Sequence, residues 1–496
     1  MKLIDNIYSY VTKNKLLKNY SIYSIGRVVS ALISLVLIPV FTKKLPKNEF
    51  GIIGLLWIIN PILTRLINLG SDVSLSLKYY KLNKQELSNY LYNTLLVIII
   101  VAILIWTLLV FKINWIKSIL DNTINVVIFT LLYISILSKM LNTMMNSFLQ
   151  LSNKAIMNVI MTITPTIVTT IVTYYFIINI EQNYISYIIG LFIGNGIFGI
   201  ISIIYFLKNY SIKYFKPSIT IIKNLLRIGI PIIPGTIAGL ILSAGDRFII
   251  KYFIGLSAVA IYVYGYRFSE YILTSIFQPF QKSLTPVLLE KAAKNFEDAT
   301  RYSHKVIYKQ IMLVTILLAI IIIPFNNLMT IMSSNSYYIS YIIFLICLSG
   351  ILLNNISNTY RILFNHLEKT EINMTIVLCS SIFNLALNIL LVPYYGIIAS
   401  AISTLLSYLL MLILSIIFLN HYTFIKIDIK DILISIMPFM LYVLMLYLIY
   451  IYISEYGIFI EYFFKTISFI IFIAIMIWFY PELIIYKNKL KRLNSK

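Results

Sequence analysis

Cysteine, histidine and acidic side chains are all scarce in this 496-residue chain, which holds two Cys, three His and 18 Asp plus Glu. Cys347 and Cys379 both fall inside apolar stretches, too few and wrongly placed for a disulfide framework or a zinc site. His304, His366 and His421 are scattered at the ends of such stretches, where solvated imidazoles rather than metal ligands are the ordinary reading. No GxxxxGK[ST] run occurs, which removes the phosphate loop that an ATP-driven pump would need. Only 12% of the residues are charged, a proportion that a soluble chain of this length does not tolerate.

What the chain has instead is hydrocarbon. Hydrophobic residues make up 60% of it and the mean hydropathy is +0.90. Fourteen apolar stretches are long enough for a bilayer crossing of about 20 helical residues each: 20–41, 50–70, 90–111, 124–147, 156–178, 184–207, 225–249, 258–280, 306–325, 339–361, 372–392, 397–419, 432–453 and 459–480. The expected fold is therefore an all-α polytopic membrane protein. The first stretch has no small-residue cleavage site after Lys13, Lys15 and Lys18 and reads as a retained helix.

The net charge of +22 does not point to nucleic acid, because the cations are spread over short loops and form no patch. Alternate connecting segments, with Arg227, Lys309 and Arg361 at the adjoining span ends counted among them, instead collect 28 Lys and Arg on one side against 6 on the other, and the other six of the 40 lie inside spans. That bias puts both termini in the cytoplasm.

The chain reads as built twice. Ile25-Gly26-Arg27 in the first span is echoed by Arg227-Ile228-Gly229 near the seventh, and Asn146 to Lys154 ending the fourth span is echoed by Arg361 to Lys369 ending the tenth. Both halves place an amphipathic segment after their second helix, near 71–88 and 283–305. The expected organisation is an N-terminal lobe of helices 1–6 (1–207), a basic linker (208–224), a C-terminal lobe of helices 7–12 (225–419), and helices 13–14 with a basic tail (420–496). Transporters with such repeats commonly bind substrate at the repeat interface near the midplane.

Arg27, Arg65, Lys139, Arg247, Arg267 and Lys465 are the six cations inside spans. Each costs about 2.5–3.5 kcal/mol at a bilayer centre on insertion scales, so a polar interior with a use for positive charge is implied, an anionic substrate being the obvious candidate. Lys465 is close enough to its span's end to snorkel. Arg247 stands beside Asp246, a gate or local pair, and Arg267 has Glu270 three residues on, a spacing that allows self-neutralisation. Arg27, Arg65 and Lys139 have no acidic residue at i±3 or i±4 and are the best anion ligands. Polar stripes accompany them: Asn142 and Asn146 in the fourth span, Asn358 in the tenth, Asn384 and Asn388 in the eleventh. Interhelical hydrogen bonding is the bland account of these amides; the lining of a water-filled cavity is the functional one.

Tyr23-Ser-Ile-Gly26-Arg27, Leu45-Pro-Lys-Asn-Glu-Phe50-Gly51, and Gly245-Asp246-Arg247-Phe248-Ile-Ile-Lys251-Tyr-Phe-Ile-Gly255 followed by Ile261-Tyr262 carry a resemblance. Taken in order over nearly the whole chain, they resemble the Wzx-like polysaccharide flippases of the multidrug/oligosaccharidyl-lipid/polysaccharide (MOP) exporter superfamily. The resemblance implies two MATE-like six-helix lobes plus two C-terminal helices. It implies a flippase, not an enzyme, that moves undecaprenyl-pyrophosphate-linked oligosaccharide repeat units across a bacterial cytoplasmic membrane for O-antigen, capsule or similar polymers. Arg27, Arg65, Lys139 and Arg267 occupy places comparable to its basic cavity residues. No cofactor is implied; the drive is the membrane potential or a coupling ion, H+ or Na+, acting through Glu270 or Asp246. Partners would be the lipid-linked oligosaccharide, membrane lipids, and polysaccharide polymerase and chain-length machinery. Two rival classes remain. A MATE-like small-molecule exporter would typically carry acidic rather than basic cavity residues. A membrane polymerase or ligase would usually show a large external loop, whereas the longest here, near 326–338, has no charge.

Overall fold

The computed structural model describes residues 15–152, 154–210, 216–367, 369–424, 427–453 and 458–479. The basic segments before and after these limits, and 211–215 of the linker, lie outside the described residues. Regular structure among the described residues is entirely helical. Hydrocarbon offers no partner to a backbone N–H or C=O, so each span must satisfy its own, and the protein is a multi-pass helical membrane protein.

Among the described residues, twelve helices are long and apolar enough to cross a bilayer. The longest, Thr370–Tyr422, runs for 53 residues but breaks at Gly396, where φ of 68° and ψ of −154° are not helical. Only glycine reaches that region without strain, and the break divides the helix into the eleventh and twelfth expected spans. The eighth, 258–280, corresponds to Leu256–Ile272, which continues through a π-helical turn at Leu273–Phe277 into Gln278–Lys294. Fourteen crossings are thus consistent with the helices seen.

Helix starts fall where a polar residue can take an orphan N–H. Asn83 caps Lys84–Phe111 in a reciprocal capping box with Glu86. Asn125, Asn183, Ser218, Asn295 and Asp428 accept from the first turns of the helices they precede.

The chain divides into two compact units. The first comprises Met1–Tyr264, Tyr271–Pro279 and Ser381–Ser400; the second comprises Gly265–Glu270, Phe280–Ser380 and Ala401–Lys496. Small residues let helices of the first unit approach closely: a β-carbon on Gly194 would lie 2.0 Å from Thr169 Oγ1, and one on Gly199 2.6 Å from Ser138 Cβ. This is the small-residue packing that replaces hydrophobic driving force within a bilayer. An aromatic cluster of Phe41, Phe50, Trp57 and Tyr187 sits nearby, with Trp57 Nε1 donating to the Tyr187 hydroxyl at 2.9 Å. In the second unit Phe325 stacks on Phe344 at 4.6 Å and takes Phe268 edge-on at 5.2 Å. Ile99, Ile103, Leu104, Leu108 and Phe111 on Lys84–Phe111 are all exposed, a face suited to lipid rather than water.

Candidate functional site

Arg27 lies on Lys15–Leu35, one residue after Gly26, whose missing side chain admits Val159. That helix packs on Ala155–Asn179 and on the π turn Leu273–Phe277. The π turn shifts the side-chain register just before Gln278, and Arg27 Nη1 donates to Gln278 Oε1 at 2.9 Å. The partner of this half-buried guanidinium is a neutral amide, and no ion pair of Arg27 occurs among the described residues. An arginine held this way keeps its full charge and several donors for a bound anion. The side chain of Tyr23, in the same motif, lies outside the described residues.

Arg65 is placed differently from what helical spacing suggests. It pairs with Asp72 at 3.0 Å, seven residues on. Lys47–Asn68 ends at Leu69 (φ 46°) and Gly70 (φ 70°), both left-handed, and Ser71–Lys78 begins immediately. The reversal folds Asp72 back onto Arg65, and Asn68 Nδ2 donates to the same carboxylate oxygen at 2.9 Å. The turn is tight enough that a β-carbon on Gly70 would lie 2.6 Å from the Gly229 carbonyl oxygen, and one on Gly229 1.9 Å from that of Leu69. The absence of a carboxylate at i±4 therefore did not leave Arg65 without an acidic partner; a loop supplied one.

Lys139 is exposed at the middle of Val126–Leu151. On the same helix Asn142 and Asn146 donate to the Met161 carbonyl at 3.0 and 3.4 Å, and Asn158 returns a bond to the Asn146 carbonyl at 2.6 Å. These amides tie Val126–Leu151 to Ala155–Asn179. Asn384 and Asn388 are fully buried, with Asn388 Nδ2 donating to the Asn384 carbonyl at 2.9 Å. Neighbouring Ser381 donates to the Ala238 carbonyl at 2.6 Å.

In the second unit Arg267 and Glu270 form the ion pair that their i, i+3 spacing allows, and both remain partly exposed. Arg361 Nη2 reaches Asn358 Oδ1 at 3.3 Å, so Asn358 holds a cation that sequence reading had counted with the loops. Lys465 departs most from expectation. It is fully buried, 2.6 Å from Glu461, with its ammonium donating to the Ile323 carbonyl at 3.3 Å. The i, i+4 spacing with Glu461 was in the sequence, but a lysine near a span end was read as a snorkelling anchor.

Asp246 and Arg247 belong to a scaffold. Asp246 accepts from the Tyr262 hydroxyl, and buried Arg247 donates through Nη1 to the Gly54 carbonyl at 3.0 Å. A β-carbon on Gly51 would lie 2.2 Å from the Leu256 carbonyl oxygen, Ser257 donates to Asn48 Oδ1 at 2.7 Å, and Glu49 accepts from the Tyr184 N–H at 2.8 Å. The motif around Leu45–Gly51 and the one around Gly245–Gly255 thus pack onto each other. Lys251 donates to the carbonyls of Ser118, Ile119 and Leu120 at 2.8, 2.6 and 3.2 Å, closing the C-terminal end of Ile113–Ile119. Burial pushes the Lys251 pKa down, and the charge of Asp121 works against that shift.

The chemistry available is that of guanidinium and ammonium groups among amides, with no cluster of His, Cys, Asp or Glu suited to a metal among the described residues. The profile of a family described as "Polysaccharide biosynthesis protein" matches residues 16–292. An uncharacterized membrane protein of Methanocaldococcus jannaschii is 30% identical over 206 residues, 40% of each chain, so this chain spans well under half of that curated relative's length in the match. The fold is similar to that of the lipid II flippase MurJ in an inward closed conformation, with a TM-score of 0.69, 17% identity, and coverage of 94% of this chain and 99% of that one. It is also similar to an inward-facing multidrug resistance MATE family transporter of the MOP superfamily, with a TM-score of 0.64, 14% identity, and coverage of 82% and 94%.

Proposed function

Because this chain belongs to the polysaccharide biosynthesis protein family, we propose that it is a flippase, not an enzyme, which carries a polyprenyl-pyrophosphate-linked oligosaccharide across the cytoplasmic membrane by alternating access. The observation that carries the reading is Arg27, a half-buried guanidinium inside an apolar span whose partner is the neutral amide of Gln278. Holding such a group without a carboxylate is costly unless a transient anion compensates it, and a pyrophosphate accepts the paired donors a guanidinium presents.

Arg65 and Lys139 in the first unit and Arg267 in the second are the further cations assigned to the anion, with Asp72 and Glu270 as carboxylates that a phosphate must displace or share. Such displaceable pairs neutralise Arg65 and Arg267 in the absence of cargo. Glu270, or Asp246, is also where a coupling ion, H+ or Na+, could act. The polyprenyl chain needs no polar partner and can stay in lipid, while amides and hydroxyls such as Asn358 serve the sugar. An undecaprenyl carrier, O-antigen or capsule as the destination, and polymerase and chain-length proteins as partners complete the proposal.

The test is reconstitution in vesicles with a labelled polyprenyl-pyrophosphate oligosaccharide. Transbilayer movement without lengthening is the expected result, and Arg27→Gln should slow it at least tenfold, on the order of 1.4 kcal/mol or more, in protein that is made and folded normally. Lengthening of the product would replace the reading by a polymerase. Wild-type transport rates in Arg27→Gln would remove the pyrophosphate role of Arg27.

A further inference from the structure

In the second unit, the turn between Phe325–Met332 and Ser340–His366 encloses a cavity of about 150 Å³ lined by Asn326, Ser333, Asn335, Tyr337, Tyr338 and Tyr341 among others. Its polar lining side chains are amides and hydroxyls, interleaved with phenol rings, and none of them is ionic. Tyr341 is 1% exposed, yet its hydroxyl is buried without a hydrogen-bond partner. A buried hydroxyl left without a partner is destabilising unless something satisfies it, and native structures hold few of them.

The wall behind the cavity is fixed. Asn326 Nδ2 donates to Glu461 Oε1 at 3.0 Å, and the same oxygen receives Lys465 Nζ at 2.6 Å. With its amino group committed to a carboxylate, Asn326 keeps its amide oxygen as the acceptor it can offer a ligand. The Tyr341 ring is held against Tyr450 at 5.2 Å and Phe344 at 6.2 Å, and the Tyr450 hydroxyl donates to the Tyr338 carbonyl at 2.6 Å.

These features select a ligand class. A cation would need a carboxylate with charge to spare, and Lys465 neutralises Glu461. A phosphate would need a cation with charge to spare, and Glu461 neutralises Lys465. What fits is a neutral ring bearing several hydroxyls: an apolar face for phenol rings, and hydroxyls to pair with amide, serine and tyrosine groups. We propose that this cavity is a carbohydrate subsite, holding one sugar ring with Tyr341 and Asn335 as its hydrogen-bonding partners. The assignment rests on the flippase reading only for its source of sugar, the cargo's oligosaccharide; on the topology argued above, the cavity opens on the outer side.

The experiment titrates full-length protein in nanodiscs with a panel of free pyranoses, with mannitol as a non-ring polyol, and with a short polyprenyl-pyrophosphate oligosaccharide, followed by saturation-transfer NMR or calorimetry. At least one pyranose, free or lipid-linked, should bind, and both Tyr341→Phe and Asn335→Ala should weaken it three- to tenfold with unchanged apparent melting temperature. Binding of the lipid-linked form alone would identify the cargo as the source. No sugar binding in either form, or binding that neither variant weakens, would overturn the proposal. The vesicle transport assay keeps the two readings apart: transport without sugar binding at this cavity overturns the subsite alone, and Tyr341-dependent sugar binding without any transport overturns the flippase alone.

Discussion

Arg27 and Arg65 looked alike in the sequence and differ in the structure, and the difference sets what each can be asked to do. Arg27 faces the neutral amide of Gln278, and no carboxylate pairs with it among the described residues. Arg65 faces Asp72 in a pair whose side chains are 20% and 37% exposed, and a partly solvated pair of that kind contributes only about 0–1 kcal/mol to stability. If Arg65 serves the cargo, Arg65→Gln should cut transport several-fold, whereas Asp72→Asn should leave transport equal or raise affinity for the anion, with both proteins melting within a few degrees of wild type. Equal losses in the two variants would instead assign the pair a structural role. Glu461 and Lys465 are the opposite case, a pair removed from solvent altogether. Breaking a buried pair by truncating one member costs about 3–5 kcal/mol, while replacing both can be nearly neutral. Lys465→Met should therefore lower expression and apparent melting temperature sharply, and Glu461→Gln with Lys465→Met should recover much of the loss; a double variant no better than the single would show that the pair is not the cause. Presence of charge inside a span was legible in the sequence at every one of these positions. The partner was legible only where it lay one helical turn away, as for Glu270 and Glu461, because a carboxylate brought in by a loop or an amide from a distant helix leaves no mark at fixed spacing.

Elements were easier to find than to understand. Long apolar runs placed the helices, since hydrocarbon length is a local property. One of two interruptions was not local. The break at Gly396 falls in the gap between two expected spans, whereas the π turn at Leu273–Phe277 lies inside one and leaves no mark in its composition, yet it positions Gln278 against Arg27. The family motifs and the Arg227-Ile228-Gly229 echo were visible as strings, but what they form is helix contact: Gly51 against Leu256, Gly54 accepting from Arg247, and Gly229 against the Leu69–Gly70 turn. The last contact gives a clean prediction. A β-carbon on Gly229 would stand 1.9 Å from the Leu69 carbonyl oxygen, so backbone must move, and overpacking of this kind costs about 1–3 kcal/mol. Gly229→Ala should lower the apparent melting temperature and, by shifting the turn that presents Asp72, also alter the Arg65–Asp72 pair, so that its transport defect is larger than that of Asp72→Asn. Gly255→Ala, at φ 118° with no neighbour within 4 Å, should be destabilising through backbone strain alone and leave that pair untouched.

At the scale of the whole molecule, sidedness rests on arithmetic rather than on any single residue. Translocation keeps Lys and Arg of short loops on the cytoplasmic side, and a missed span in the middle of the chain would scramble the bias of 28 against 6, because every loop downstream of such an error would change sides. The helices bear on this through their number: splitting Thr370–Tyr422 at Gly396 and admitting Leu256–Phe277 as a span keeps the alternation in phase from the first lobe to the tail. Labelling with a membrane-impermeant maleimide tests it. The background needs Cys347 and Cys379 replaced by Ser, the first buried and the second exposed. Asn122→Cys lies in the loop before Val126–Leu151 and is exposed; it should react in intact cells. Lys294→Cys replaces a side chain that is 76% exposed at the end of Gln278–Lys294; it should react only after permeabilisation. The same assay at Ser334, an exposed residue beside the proposed sugar cavity, should label from outside, and an excess of the sugar that binds there should slow it. Reaction of Lys294→Cys in intact cells would invert the topology, move that cavity to the cytoplasmic face, and make it an entry rather than an exit station for the oligosaccharide.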